Sequence, residues 1–435
     1  MKVEILMVAA VAALAEVTAN AAGAFASDVA RTCECRPRGG VPNALAKLKA
    51  GQTVRIAYLG GSITEANGWR PMTLAWFRSA FPQAKVEEIH AAISGTGSDY
   101  GAIRLPMDVL VKKPDLLFVE FRVNGSAGYD YQSTEGIVRQ TLAADPTTDI
   151  CFIYTLCKSQ LGQLSAGKQT AFGRAMERVC DHYGLPSIDF APEIVSRMKD
   201  PAAFAFEPTR NALSAEAVQM DERAKRAAAD PDRGKLVFAQ DGVHPGAAGH
   251  GIYRDVVARS MTNLIFPASG KPGPRTMPPP LAKNVWLAAE MVPATNVLTG
   301  AAWTVIADGR RDPVYGDSFG RTERMLRGGV WTTAEGTTFR IRWVGNTLGF
   351  SDIPQAKKGE PPIEIEVAVD GGKPLTYRRA RTPESRIYSR FVYLPEYDWR
   401  EHEAVFTVKR VPAGQRCVLG QFLIVGHRVA EPAGK

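Results

Sequence analysis

Six cysteines and six histidines in 435 residues leave little material for several kinds of protein. A disulfide framework belongs to short chains that cannot build a core, and this chain is far too long to need one. Cys33 and Cys35 are too close to pair easily with each other. Cys151, Cys157 and Cys180 lie in or near apolar segments, the usual setting of a buried free thiol. No Cys/His spacing resembles a zinc site, and no Gly-Lys-Ser/Thr follows a glycine-rich loop as a phosphate loop requires. After the first residues no apolar run approaches membrane length, so no integral membrane segment is expected. The net charge of +8 is modest, and Lys and Arg are scattered rather than clustered, which reads as a solvated basic surface and not as a nucleic-acid interface. Internal repeats and low-complexity tracts are also missing.

What is present is globular composition, 45% hydrophobic and 23% charged, over a length that implies two or three domains. The first residues read as an export signal. Lys2 precedes the apolar run Ile5–Leu14, and small-residue cleavage sites follow at Ala19-Asn-Ala21 and Ala24-Phe-Ala26. Glu4 and Glu16 depart from the pattern, but the run is too short to span a bilayer. Residues 1–26 are therefore expected to be a signal peptide, and the protein secreted or periplasmic.

From residue 50 onward strands and helices alternate. Strands are expected at Val54–Leu59, Val86–Ala92, Leu116–Val123, Ile150–Leu156 and Ser187–Phe190, with helical patterns such as Glu135–Ala144 and Gln169–His182 between them. Asn43 is expected to cap a short helix through Lys49, and Pro71 to open another. Alternation with near-continuous apolar strands predicts an α/β domain, a parallel sheet covered on both faces, over residues 27–265. Residues 201–235, Ala- and charge-rich, read as an insertion. Residues 266–282 form a proline-glycine linker. The period then becomes two, as in Phe339, Ile341 and Trp343 or Ile363, Ile365, Val367 and Val369, and predicts an all-β sandwich over residues 283–430.

The chemistry-bearing residues fall at strand ends, where open α/β sheets collect their sites. Val54-Arg-Ile-Ala-Tyr-Leu-Gly-Gly-Ser62 brings a serine to a glycine-bracketed turn, which is either a nucleophile or simply a turn. Asp241-Gly-Val-His244 places a carboxylate three residues before a histidine on one loop. The carboxylate either orients the imidazole or caps the next turn. The glycine-rich loop containing Gly95 and the Val123-Asn124-Gly125 turn offer an amide and a carboxamide as donors, or plain turn geometry.

Taken in order, Gly60-Gly-Ser62, Gly95, Val123-Asn124 and Asp241-Gly-Val-His244 resemble the SGNH (GDSL-type) hydrolase superfamily, over roughly residues 50–265. The resemblance implies a three-layer α/β/α domain of flavodoxin-like order followed by a jelly-roll-like sandwich, as in two-domain carbohydrate acetylesterases. It implies Ser62 as nucleophile, His244 as general base and Asp241 as its orienting acid. The Ser62 amide, the Gly95 amide and the Asn124 side chain become the oxyanion donors, and no metal or cofactor takes part. Trp69 and Arg70 are candidates for lining the substrate site. Arg122 is a candidate either for a substrate contact or for a structural ion pair. Two departures stand out: Gly61 occupies the position where the family usually has Asp, and Arg122 and Gly125 flank the third block.

The expected substrate is an O-acetylated polysaccharide or oligosaccharide. The alternatives are a lipase- or thioesterase-type hydrolase, an acyltransferase, or a non-catalytic glycan-binding protein. Five of the seven tryptophans (Trp286, Trp303, Trp331, Trp343 and Trp399) lie in the C-terminal domain, either as core or as sugar-stacking platforms.

Overall fold

The structure, a computed structural model, describes residues 25–209, 232, 234–306, 326–380 and 390–429. Residues 1–24 of the expected signal peptide (1–26) and most of the 201–235 segment lie outside the described residues. The chain divides into two compact units, Met1–Gly101 with Val109–Val285 and Ala102–Asp108 with Trp286–Lys435.

The first unit is built on a six-stranded sheet of β1 (Cys35–Arg36), β2 (Thr53–Gly60), β3 (Lys85–Ala92), β4 (Leu116–Glu120), β5 (Asp149–Tyr154) and β6 (Ser187–Asp189). The strands lie in the order β1-β6-β5-β4-β2-β3, parallel throughout except for the antiparallel edge strand β1. Without β1 this is the flavodoxin-like order that the strand–helix alternation implies. Every side chain of β4 and β5 is buried, which is why these strands read as unbroken apolar runs: helices cover both faces. The register places Gly60 beside Ala92 and Glu120, so three loops leave the sheet from one row.

Helices α1 (Pro42–Lys49), α2 (Ser62–Glu65), α3 (Trp69–Ala80), α4 (Ser98–Asp108), α5 (Asp130–Ala144), α6 (Ala171–Tyr183) and α7 (Ala247–Ser260) connect or cover the strands. Helix α6 shows why such segments are helical. Thr170 caps it by accepting from the Gly173 amide at 3.0 Å, Phe172, Met176 and Val179 share its buried face, and Gly184 ends it at φ +64°. Helix α1 differs from expectation: its cap is Val41 with Pro42 at the first position, and Asn43 instead exchanges hydrogen bonds with the backbone of Gly273. That contact belongs to a wider anchoring of the proline-glycine stretch. Arg275 bonds Gly40 O and Asp149, while the buried Glu135 carboxylate accepts from the amides of Leu281 and Ala282. Proline-rich composition here marks backbone without a ladder, not backbone free of partners.

Among the described residues the second unit holds nine antiparallel strands, β9 (Ala289–Pro293), β10 (Thr304–Val305), β11 (Val330–Thr332), β12 (Thr338–Asp352), β13 (Ile363–Val369), β14 (Leu375–Arg379), β15 (Arg390–Tyr393), β16 (Arg400–Arg410) and β17 (Cys417–Arg428). The short pair β7 (Phe204–Ala205) and β8 (Leu236–Val237) belongs to the first unit. The long strands β12 and β17 pair antiparallel in the middle of the sheet, with a register shift between Gly345 and Thr347. Glycine is required there, because a Cβ on Gly345 would lie 1.9 Å from the carbonyl oxygen of Val425. Of the alternating residues read from the sequence, Ile341, Trp343, Ile363, Ile365 and Val367 enter the core, where Phe350, Phe406 and Phe422 join them, while Phe339 and Val369 pack against it partly buried.

Candidate active site

Strand β2 delivers Ser62 to the carboxyl edge of the sheet. Gly61 is the N-cap of α2, with extended backbone (φ −92°, ψ −154°), and Ser62 is the first helical residue. Its amide therefore belongs to the first turn, whose N–H groups have no partner within the helix and favour developing negative charge. The Ser62 hydroxyl lies 2.7 Å from His244 Nε2, and His244 Nδ1 lies 2.7 Å from Asp241 Oδ2. Residues 182 positions apart are thus joined in a Ser–His–Asp chain of hydrogen bonds.

The loop carrying His244 is shaped by Asp241 itself. Asp241 Oδ1 accepts from the amides of Val243 and His244, at 2.9 and 2.7 Å. One carboxylate therefore caps the turn and orients the imidazole, the two alternatives left open by the spacing. Partial burial pushes the carboxyl up, but the His244 amide and ring and the Val243 amide outweigh it, and the group is held down at about 2. Gly242 must be glycine: its φ is +74°, and a Cβ would lie 2.5 Å from Glu207 Oε2. The Lys158 amide donates to Gly242 O at 2.7 Å and steadies the same loop from the β5 side.

The two remaining loops converge on the nucleophile turn. The Ile93 amide donates to Gly60 O at 3.0 Å, which starts the Gly95 loop beside Ser62; Gly95 itself has φ +71°. Glu65, at the end of α2, accepts from the Ser94 amide at 2.8 Å and ties that loop to the nucleophile helix. The Asn124 carboxamide lies directly against Gly61, where a Cβ would stand 2.0 Å from Asn124 Oδ1. The residue before the serine is glycine because the carboxamide occupies the space a side chain would need.

The three residues expected to line the substrate site do not do so. Trp69 is fully buried and packs against Tyr58, Phe118 and Phe190, with centroid separations of 5.5 to 6.2 Å. Its place after the serine turn puts it on the inner face of α3, and removing such a side chain costs about 3–5 kcal/mol of stability. Arg70 is buried too; it donates to Thr64 O at 3.0 Å and pairs with Glu88. Arg122 takes the structural alternative. Its buried guanidinium pairs with Asp189 at 2.6 Å and donates to the Thr155 and Tyr154 carbonyls and to Gln169.

Sequence reasoning missed Glu120, Thr64 and Thr155. Their one signal was a lone acidic residue in the buried apolar run Leu116–Val123, and Glu120 is 1% exposed. Among the described residues no group of three or more His, Cys, Asp or Glu side chains could hold a metal ion, and no helix is long and apolar enough to cross a membrane. All six cysteines are free, five of them buried. In the second unit Trp286 and Trp343 are fully buried core, whereas Trp399 is 44% exposed.

No curated protein sequence matches the chain significantly. A solved two-domain esterase active on acetylated mannans, co-crystallised with mannopentaose, superposes with a TM-score of 0.65 at 18% identity, covering 91% of this chain and 98% of the other. The same esterase without that ligand gives 0.64 at 18% identity, with 89% and 96% covered. An acetyl xylan esterase from Geobacillus stearothermophilus is also found, with 16% identity, 48% and 94% covered and a TM-score of 0.34. The first two likenesses extend the shared fold across both domains. The model of the GDSL-like lipase/acylhydrolase family matches residues 58–252, the stretch that runs from β2 through Ser62 and His244 into α7. Over those residues the chain is similar to the GDSL-like lipase/acylhydrolase family, the resemblance already carried by the Ser62, Gly95, Asn124 and Asp241–His244 blocks.

Proposed function

We propose that the protein is a secreted serine esterase that removes O-acyl groups, chiefly O-acetyl, from a polysaccharide or oligosaccharide. The observation that carries the reading is the Ser62–His244–Asp241 chain with both links at 2.7 Å. Ser62 Oγ attacks the ester carbonyl while neutral His244 takes its proton, and Asp241 holds the ring and stabilises the imidazolium. The oxyanion is received by the Ser62 and Gly95 amides and the Asn124 carboxamide, each worth about 3 kcal/mol of transition-state stabilisation. The imidazolium then protonates the departing alcohol, and water deacylates Ser62 by the same route in reverse. Side chains of His244 and Asp241 are 48% and 56% exposed, which supports a site open to a polymer and to water.

The acetylated mannan acted on by the structural neighbour supports the substrate class, with the shared two-domain architecture as the reason to transfer it. Acetate release from acetylated mannan and xylan oligosaccharides tests the reading. The purified protein is expected to release acetate from at least one of them and Ser62→Ala from none; equal release by the variant would refute it.

Export is part of the same proposal. The Ser27 amide donates to Asp181 Oδ2 at 3.0 Å, and its hydroxyl reaches both carboxylate oxygens. Cleavage after Ala26 places a new ammonium group on that carboxylate. Amino-terminal sequencing of exported protein is expected to begin at Ser27; a start at Ala22 would select the other cleavage site.

A further inference from the structure

A buried carboxyl lies beneath the nucleophile turn, and nothing in the triad uses it. Glu120 ends β4 in the same row as Gly60. Its Oε2 accepts from Thr64 Oγ1 at 2.8 Å and its Oε1 from Thr155 Oγ1 at 2.6 Å, and the Gly61 amide also donates to the carboxyl. Gly61 and Thr64 flank Ser62 in sequence, so two of the three donors belong to the turn that carries the nucleophile. Burial pushes the Glu120 carboxyl up, opposed by the two hydroxyls, the Gly61 amide and the charge of Arg122. Arg122 itself pairs with Asp189, so Glu120 has donors rather than a salt bridge. An acidic group here is costly compared with the apolar residues of the rest of β4, and its hydrogen bonds go to the turn.

The space beside Gly61 is also filled. With the Asn124 carboxamide against Gly61, residue 61 has no room for a side chain that could brace Ser62. Thr64 is fully buried and faces Glu120, so the short helix α2 is held from beneath at both ends of its first turn.

We propose that Glu120 is the positioning residue of the nucleophile turn, holding Gly61 and Thr64 from below so that the Ser62 hydroxyl and amide stay aimed at the acyl carbon and its oxyanion. It acts through the turn and does not touch substrate. The inference rests on the serine-esterase reading of Ser62.

The test compares Glu120→Gln with wild type on an activated acetyl ester, with active sites counted by a serine-directed phosphonate. Gln keeps the shape but turns one acceptor into a donor. The threonine hydroxyls can reverse to meet it; the Gly61 amide cannot. The expected result is a loss of about 10- to 100-fold in kcat per titrated site, on the scale of a misaimed reacting group. KM stays within about twofold, and deuterium uptake quickens in the peptide containing residues 60–65. A merely structural role would lower the melting temperature and the titratable fraction while leaving kcat per site and that peptide's exchange at wild-type values, and this result overturns the proposal. Should Glu120→Gln fail to fold, Thr64→Val and Thr64→Ser decide. Val, without the hydroxyl, is expected to lose several-fold in kcat and Ser to retain it, and equal activity in the two overturns the proposal. A wild-type protein that neither hydrolyses esters nor labels at Ser62 would refute the esterase reading instead, and the exchange measurement would still decide the role of Glu120.

Discussion

Substituting Gly61 tests the packing of the site more sharply than deleting a triad member. An Ala Cβ at that position would lie 2.0 Å from Asn124 Oδ1, and ordinary contact begins near 3.4 Å. The carboxamide must therefore retreat by roughly 1.4 Å, since carbon–oxygen contacts much below van der Waals distance are not tolerated in a packed site. The backbone of Gly61, at φ −92°, accepts any residue, so the cost is confined to this contact. A donor moved by about 1 Å loses on the order of 100-fold in rate, comparable to removing it altogether. Gly61→Ala and Asn124→Ala should each lower kcat by about 100-fold. The double variant should lose about the same 100-fold and not 10,000-fold, because once the carboxamide is gone the methyl group displaces nothing. That corresponds to a coupling of about 3 kcal/mol, read from kcat per titrated active site on an activated acetyl ester. Additive losses would refute the contact as the reason for glycine, and so would a fully active Gly61→Ala protein. The same reasoning predicts that Gly61→Asp, which restores the residue usual in the family, inactivates this enzyme.

Two further perturbations probe the neighbouring groups. Asp241→Asn keeps an oxygen to accept from the Val243 and His244 amides but turns a donor toward His244 Nδ1; kcat should fall by about 100- to 10,000-fold with the melting temperature little changed, and a small loss would remove Asp241 from the mechanism. Because the Asp241 carboxyl is held down at about 2, it stays ionised throughout mild acid, so Asp241→Asn is expected to leave the shape of the acid side of the pH–rate profile unchanged; loss of an acid limb in the variant would contradict it. His250 provides a stability reading. Burial, aided by the nearby His244, pushes it down to about 4 from the ordinary 6.5, so its neutral form is favoured in the folded state. Its contribution is fully present above about 6.5 and is lost as the pH falls toward 4, an amount of order 3 kcal/mol. Urea unfolding at pH 7 and pH 4.5 should show this decline in wild type and a shallower one in His250→Phe; equal slopes would contradict it.

The legibility of the chain followed the kind of signal. The parallel sheet was readable because doubly covered strands are apolar throughout, and β2 to β6 fall within a few residues of the expected spans. The sandwich strands were readable because one-sided burial imposes a period of two, as in β13. Ser62 and His244 were readable from glycine-bracketed loops at strand ends. What stayed hidden depended on direction rather than identity. Trp69 and Arg70 follow the serine turn in sequence, but the turn of α3 points them inward, and no local pattern distinguishes the inner from the outer face of the first helical turn. Asn43 looked like a cap because asparagine usually is one, yet a contact 230 residues away claims it. Glu120 was visible only as an acidic residue out of place in an apolar strand, and its donors come from two other loops.

The central claim is that Ser62 is the residue acylated during turnover. Treating active protein with a serine-directed phosphonate and mapping the modified peptide tests it most directly. The account predicts a single adduct on Ser62, with acetate release falling in step with its stoichiometry. Continued acetate release by protein fully modified at Ser62, or an inactivating adduct on any other serine, would contradict it.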